Sequence, residues 1–498
     1  MVASLLAVLA SGIEDDRIAF RRTLYPFHKT WVKAGRFTTR WERLDFENTP
    51  SFGQTGFVRL LRKGHLITRL FLVSTMPDIY TVQARALAAA RAAAVTRAYP
   101  QFGWTNSLGH ALVSQLTLDI AGSRIETIDS RLLEILDEFH TPLEKVPVMN
   151  ELIRRKDSGF SETSFQGNAV SSETVITPLP FWFTRGDTGC ALPIDAISAD
   201  EVRVGITFRP IQGLYYTATP SQSGSGQDVG TSLWPLLGSS FYADPSFNTP
   251  LSDSFGAIKM PLVLPLGECY VLAEYVYLDQ NEANRFRLAD LQVPIVQHYA
   301  MNPHDTQSLS TARIRLDIPN PCRDIFFMCQ PYSAPSYNAH FLATRDLTGN
   351  INQRPNGTPW WPDAVGLSAS QPALYLRPAF ALSDSEPLLG YELSYQGSLV
   401  RYRTEAPSLF RSILPSYEQR KSPWVNRYYY NLPLAIQNGF TPFTRPLSEG
   451  NLDKVTQKDL VLAFRDNQGV YPRLTVYCYA ETYNILRVYG GRAATMYA

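Results

Sequence analysis

Glu134 and Glu138 stand four apart in Ser130–Phe139, a stretch with apolar residues at helical spacing, and His140 follows at once. Two carboxylates on one helix face beside an imidazole could serve general acid/base chemistry or hold a metal. Paired carboxylates also cleave glycosidic bonds when their spatial separation is right, which sequence spacing does not give. The ordinary meaning of the pattern is a solvated helix face, and that is the expectation here. The seven histidines, His28, His65, His110, His140, His298, His304 and His340, form no H-x-H or H-E-x-x-H. His298 and His304, six apart around a turn, read as ordinary hydrogen-bonded side chains. Gly224–Gly230 misses G-x-G-x-x-G by one residue, follows no clear strand and opens no helix. No phosphate-cradling G-x-x-x-x-G-K-[ST] and no G-x-S-x-G elbow occurs. Trp424–Tyr430 holds four aromatic residues that could stack on a sugar or base, but in a β-rich chain such a run more often packs across strands. No catalytic, cofactor-binding or metal-ligating set is assigned.

The five cysteines, Cys190, Cys269, Cys322, Cys329 and Cys478, are odd in number and irregular in spacing, without C-x-x-C. Neither a disulfide framework nor a zinc site is expected, and reduced, partly buried thiols are. Cys322 and Cys329 would face opposite sides of a strand running unbroken between them. With 46 basic and 45 acidic residues the net charge is +1, too balanced for a chain that coats DNA. Charged residues make up 18% and apolar ones 45%, which fits large cores and subunit contacts. No window is long and apolar enough for a transmembrane helix. Met1–Gly12 is apolar but has no basic start and runs into Glu14-Asp15-Asp16, so it reads as an arm rather than a signal peptide. The one N-x-[ST] site, Asn356–Thr358, is followed by Pro359.

Period-2 alternation dominates. Val202, Val204, Ile206 and Phe208 alternate with more polar neighbours, as do Leu116, Leu118 and Ile120, then Ile314, Leu316 and Ile318, then Leu474, Val476, Cys478 and Ala480. Many half-buried strands without intervening helices predict an all-β chain of antiparallel sandwiches. Two helices interrupt. Thr81–Ala98 is Ala-rich, and its Arg85, Arg91 and Arg97 fall about 120° apart, so they make no basic face. Ser130–Phe139 has Asp129 or Ser130 as N-cap, with Leu132, Leu133, Ile135 and Leu136 towards a core. Thr217–Gly230 and Pro331–Pro372 read as long irregular loops. Two strand-rich halves meet at a strand-ended joint, Tyr277–Phe286.

Six segments, in order, resemble the major capsid proteins of nucleocytoplasmic large DNA viruses of the iridovirus, phycodnavirus and mimivirus kinds. They are Leu5–Asp15; Gly109–Val113 with Ile120–Ile125; Pro178–Phe183 with Ala191–Ile194; the joint Tyr277–Phe286; Asn320–Gln330; and Tyr483–Val488 before Gly490. The chain departs from the family at Arg445–Asp453, in Ala283 after Glu282, and in the Ala-rich stretch. The resemblance implies two consecutive eight-stranded jelly rolls with short helices in loops. It places an arm at 1–35 at the capsomer base, a first jelly roll at 36–282 and a second at 283–498. It further implies a non-enzymatic virion protein without cofactor, assembled in the infected host cytoplasm. Its implied partners are two further copies in a homotrimer, neighbouring capsomers, minor capsid proteins and, through the arm, an inner viral membrane, with no direct nucleic acid. Two other readings remain: a minor capsid protein of that lineage, and a β-sandwich carbohydrate-binding protein or hydrolase using a pair such as Glu134 and Glu138.

Overall fold

The computed structural model describes residues 36–77, 101–155, 174–185, 188–218, 220–222, 228–231, 266–332, 334–338, 340–341, 343, 386–395, 399–407, 409–417, 421–423, 427–434, 458–466, 469 and 471–497. The arm at 1–35, the Ala-rich stretch Thr81–Ala98, the Asn356–Thr358 site, Trp424–Asn426 and most of Pro331–Pro372 lie outside them. Thr217–Gly230 is mostly described and is not the irregular loop expected: Tyr215–Ala218 pairs with Gln101–Trp104, and Pro220–Gln222 pairs with Asp228–Thr231, as two short antiparallel ribbons apart from the main sheets.

Before the joint run β1 (Phe37–Leu44), β2 (Thr55–Arg59), β3 (Leu66–Thr75), β4 (Val113–Ile120), β5 (Ser123–Asp129), β6 (Thr174–Pro178), β7 (Val202–Phe208) and β8 (Cys269–Leu278). After it run β9 (Leu291–Ala300), β10 (Thr311–Arg315), β11 (Cys322–Pro331), β12 (Leu388–Tyr395), β13 (Leu399–Thr404), β14 (Tyr429–Pro433), β15 (Lys458–Phe464) and β16 (Leu474–Tyr489). The first eight form sheets ordered β1-β8-β3-β6 and β2-β7-β4-β5; the second eight form β9-β16-β11-β14 and β10-β15-β12-β13. Adding eight to each strand number of the first pair gives the second pair. All these pairings are antiparallel. The fold is two jelly rolls in series, and among the described residues no strand of one pairs with a strand of the other. His304–Asp305 and Arg492–Thr495 add short pairings to β16.

Local chemistry explains the elements. Val202, Val204, Ile206 and Phe208 of β7 face the core opposite Leu116, Leu118 and Ile120 of β4, as their alternation requires. The β4–β5 hairpin turns at Ala121 and Gly122, whose φ values of 53° and 79° give the primed turn that matches strand twist. Helix α1 (Leu108–Leu112) is buried, and α2 (Ser130–His140) begins at Asp129, whose side chain accepts from the Leu132 amide at 2.7 Å. Helix α3 (Val146–Leu152) follows. The joint carries a helix, α4 (Gln280–Leu288), with Glu282 in its first turn and Arg285 and Arg287 in its last, the arrangement the helix dipole favours.

The five cysteines are free thiols, four of them buried. Cys322 and Cys329 share β11, but they do not face opposite sides. A register break between Cys322 and Asp324 inserts one residue, so Cys322 lies opposite Thr482 and Cys329 opposite Val476, both on the core side. The condition of an unbroken strand fails. Burial raises the Cys329 and Cys322 thiols well above their ordinary range and pushes Cys478 up to about 12.

Candidate functional site

Helix α2 is covered nearly all round. Leu132, Leu133, Ile135, Leu136 and Phe139 are buried, as the sequence indicates, but so are Glu134 and Glu138. The expectation of a solvated carboxylate face is therefore wrong. The helix lies between the two jelly rolls, and its polar side meets charged side chains that sequence spacing does not reveal. Arg155, just after α3, reaches Glu134 at 2.7 Å and also binds Asp137. His110 of α1 donates its Nδ1 proton to Glu134 at 2.6 Å, and Ser107 donates to the other Glu134 oxygen at 3.1 Å. Glu138 takes Arg427 at 2.6 Å and Lys421 at 3.0 Å, both from the second jelly roll. Three carboxylates thus face two guanidinium groups and one ammonium group.

Burial alone would raise the Glu134 carboxyl, but Arg155 and then His110 hold it far below the carboxylate range. Burial alone would weaken Arg155 as a base, but Glu134, Asp137 and Glu138 hold it charged. Glu134 so held is no proton donor, and every carboxylate oxygen of Glu134 and Glu138 already takes a donor from this chain. The acid/base reading of these two residues is overturned by their pairing.

A second buried chain of charges crosses the same seam. Arg185, from the β6–β7 connection, donates to Glu481 of β16 at 2.6 Å and to Nε2 of His298 at 2.8 Å. Because guanidinium only donates, His298 accepts at Nε2 and donates from Nδ1 to Glu126 of β5 at 2.5 Å. His298 is thus a hydrogen-bonded core histidine, as expected, although its partners come from the other jelly roll. Arg323 of β11 adds a contact to Glu481 at 3.4 Å.

Apolar and aromatic contacts surround these charges. Phe139 meets Phe326 of β11 with ring centroids 5.5 Å apart. Arg131 lies 4.0 Å over the Tyr477 ring and donates to Gln330, and Tyr479 donates to Asp129 at 2.7 Å. Tyr428, Tyr429 and Tyr430 are buried, and Tyr430 stacks on its cross-strand partner Phe327 at 4.8 Å. This part of the aromatic run packs between strands and offers no open platform. At the far end of the seam, the Ala199 amide donates to the Gly491 carbonyl at 2.8 Å. A Cβ at Gly491 would lie 2.4 Å from Ser198 Oγ, and its φ of +81° suits only glycine.

The family-like segments build this region. Gly109–Val113 brings His110 to Glu134, Ile120–Ile125 forms the hairpin before Glu126, and Tyr483–Val488 continues β16 beyond Glu481. What the arrangement does is mechanical: it fixes one jelly roll against the other through charges that cannot be solvated where they stand. Arg155, Arg185, Arg427, Glu126 and Glu481 were not singled out in the sequence. Glu126 and Glu481 left one signal, a carboxylate set inside an apolar strand.

Residues 26–279 match the family model described as the major capsid protein N-terminus. Capsid protein 1 of Acanthamoeba polyphaga mimivirus is 21% identical over 334 residues, 66% of this chain and 49% of that protein. The major capsid protein of Phaeocystis pouchetii virus is 20% identical over 374 residues, 71% of this chain and 64% of that one. The chain therefore spans 49% and 64% of these two relatives. In fold, it superposes on PBCV-1 VP54 with a TM-score of 0.63 at 16% identity, covering 95% of this chain and 99% of the other. The Faustovirus major capsid protein gives 0.60 at 9% identity, covering 98% and 97%. Both likenesses run through the two jelly rolls.

Proposed function

The chain belongs to the major capsid protein family of large DNA viruses, and on that premise we propose that it is a structural virion protein that builds the shell. Three copies form a capsomer of pseudo-hexagonal outline, and capsomers tile an icosahedral surface. The observation that carries this reading is the repeated strand order. Two equivalent sandwiches per chain, taken three times, give six similar walls, so one protein can pack hexagonally. A rigid seam supports the same role, because the two walls of a chain keep their relation only if the sandwiches do not hinge.

The chain divides into an arm at 1–35, a first jelly roll at 36–282 and a second at 283–498. The arm lies at the capsomer base, facing minor capsid proteins and an inner membrane. Neighbouring capsomers are the lateral partners, no nucleic acid is contacted directly, and assembly takes place in the host cytoplasm. Catalysis has no part in the role. Electron microscopy of the purified chain tests the reading: particles of hexagonal outline, joining edge to edge at high concentration, support it, and uniform single-chain particles of two lobes contradict it.

A further inference from the structure

At the end of the seam away from the joint, the β11–β12 connection of the second jelly roll crosses onto the first. Its helical turn Ala334–Tyr337 leads to Asn338, His340 and Phe341. Two residues of the first jelly roll hold this strap by hydrogen bonds. Thr105 donates to the Asn338 carbonyl at 2.6 Å, and the Gly213 carbonyl accepts from His340 Nε2 at 2.6 Å. Phe341 sets its ring edge-on to His110, with centroids 6.5 Å apart. From the second jelly roll, Gln330 donates to the His340 carbonyl at 2.7 Å and Tyr429 to the Phe341 carbonyl at 2.8 Å. Ala334, Asn338, His340 and Ala343 are buried.

His340 differs from the other seam histidines in the charges it meets. His110 bonds Glu134 and His298 bonds Glu126, so each has a carboxylate beside it. The charges that act on His340 are cations: Arg209, just after β7, and then Arg131 of α2. A Cβ on Gly213 would stand 2.9 Å from the Arg209 stem and 4.0 Å from His340 Nε2, so both side chains crowd one turn. Arg131 is tied to the same strap through Gln330, which accepts from it at 3.1 Å. The carboxylate of this corner, Asp129, already takes the Leu132 amide and the Tyr479 hydroxyl. Burial, and then Arg131, push Arg209 itself down to about 10. His340 keeps its Nε2 proton on Gly213, so a second proton goes to Nδ1 and adds a third cation to a buried corner.

We infer that Asn338–Phe341 is an acid-released latch: protonation of His340 lifts the strap off Thr105 and Gly213 and opens this end of the seam while both sandwiches stay folded. The device is internal to one chain and does not depend on the capsomer reading. The closed ring takes its second proton at about pH 3, and an open one at about 6.5. The hold of the neutral ring is complete above pH 6.5 and is lost as pH falls towards 3, so opening becomes about tenfold easier with each pH unit below 6.5.

Hydrogen exchange of the full chain tests this, read by mass spectrometry on peptides covering 334–343 and corrected for the pH dependence of free amides. Between pH 6.5 and 4.5 the opening constant should rise about a hundredfold, while amides in β4 and β7 keep their protection. His340→Gln keeps an N–H donor but takes up no proton, so its opening constant should stay level over that range. Thr105→Val should loosen the strap at every pH and keep the wild-type slope, which keeps the test valid if His340→Gln misfolds. A level wild-type curve overturns the latch, and so does an equal slope in His340→Gln. Loss of protection in β4 and β7 in step with the strap also overturns it, because acid then melts the chain as a whole.

Discussion

Glu138, near the end of α2, accepts a hydrogen bond at 2.6 Å from Arg427, which lies 289 positions further along the chain, and both side chains are buried. One end of the pair belongs to each jelly roll. Buried ion pairs of this kind add little net stability compared with an apolar contact, but removing one partner leaves a charge that cannot be solvated. The pair therefore acts as a test of register: sandwiches docked in another orientation would bury these charges alone.

Arg155 faces three carboxylates, so its loss should be the costliest single change in the seam. Arg155→Met is expected to destabilise the chain by about 3–5 kcal/mol, the range for breaking a buried pair. Urea unfolding measures it, and a loss below about 1 kcal/mol would show that water replaces the guanidinium freely.

Acid should weaken the seam in two steps. His340 donates Nε2–H to the Gly213 carbonyl at 2.6 Å, and burial, with Arg209 nearby, lowers its pKa from 6.5 to about 3. A folded pKa below the unfolded one means that the unfolded chain takes up the proton first, so stability falls as pH drops from about 6.5 towards 3. Glu134 is depressed from 4.5, so the stability it contributes is present above that pH and lost below it. Melting temperatures from pH 7 to 4 should fall less in His340→Gln than in the parent, and parallel curves would count against the assignment.

Gly490 and Gly491 share a turn and both have positive φ, 59° and 81°. Nothing lies within 4 Å of a Cβ at Gly490, whereas one at Gly491 meets Ser198 and Ala199. Both alanine variants should carry the backbone strain, of order 1 kcal/mol, and only Gly491→Ala the added clash with the first jelly roll. Equal melting temperatures for the two would mean that the turn shifts without cost.

Phe139→Ala removes the ring against Phe326 and should cost about 3–5 kcal/mol, as large-to-small changes in tight cores do. Calorimetry should still give one transition if the seam couples the jelly rolls, and two if Phe139 is what joins them.

Much of the fold was legible because period-2 alternation is a local signal. Val202–Phe208 and Leu474–Ala480 follow it, and Asp129 announces α2. The joint helix was missed, since Gln280–Leu288 has only Ala283 buried and lacks an apolar stripe. The seam was misread for a different reason. Glu134 and Glu138 look like a solvated face from their own helix, and the cations that bury them, Arg155, Lys421 and Arg427, arrive from 17 to nearly 300 residues away through the fold. The bulge in β11 likewise hid the shared face of Cys322 and Cys329, because no residue type there marks the extra position.

The most direct test of the account is the solution mass of the purified chain, by light scattering coupled to size exclusion at micromolar concentration in physiological salt. Three copies of 55.9 kDa are predicted. A stable single copy of 55.9 kDa would contradict the capsomer and return the chain to the class of single-copy binding proteins.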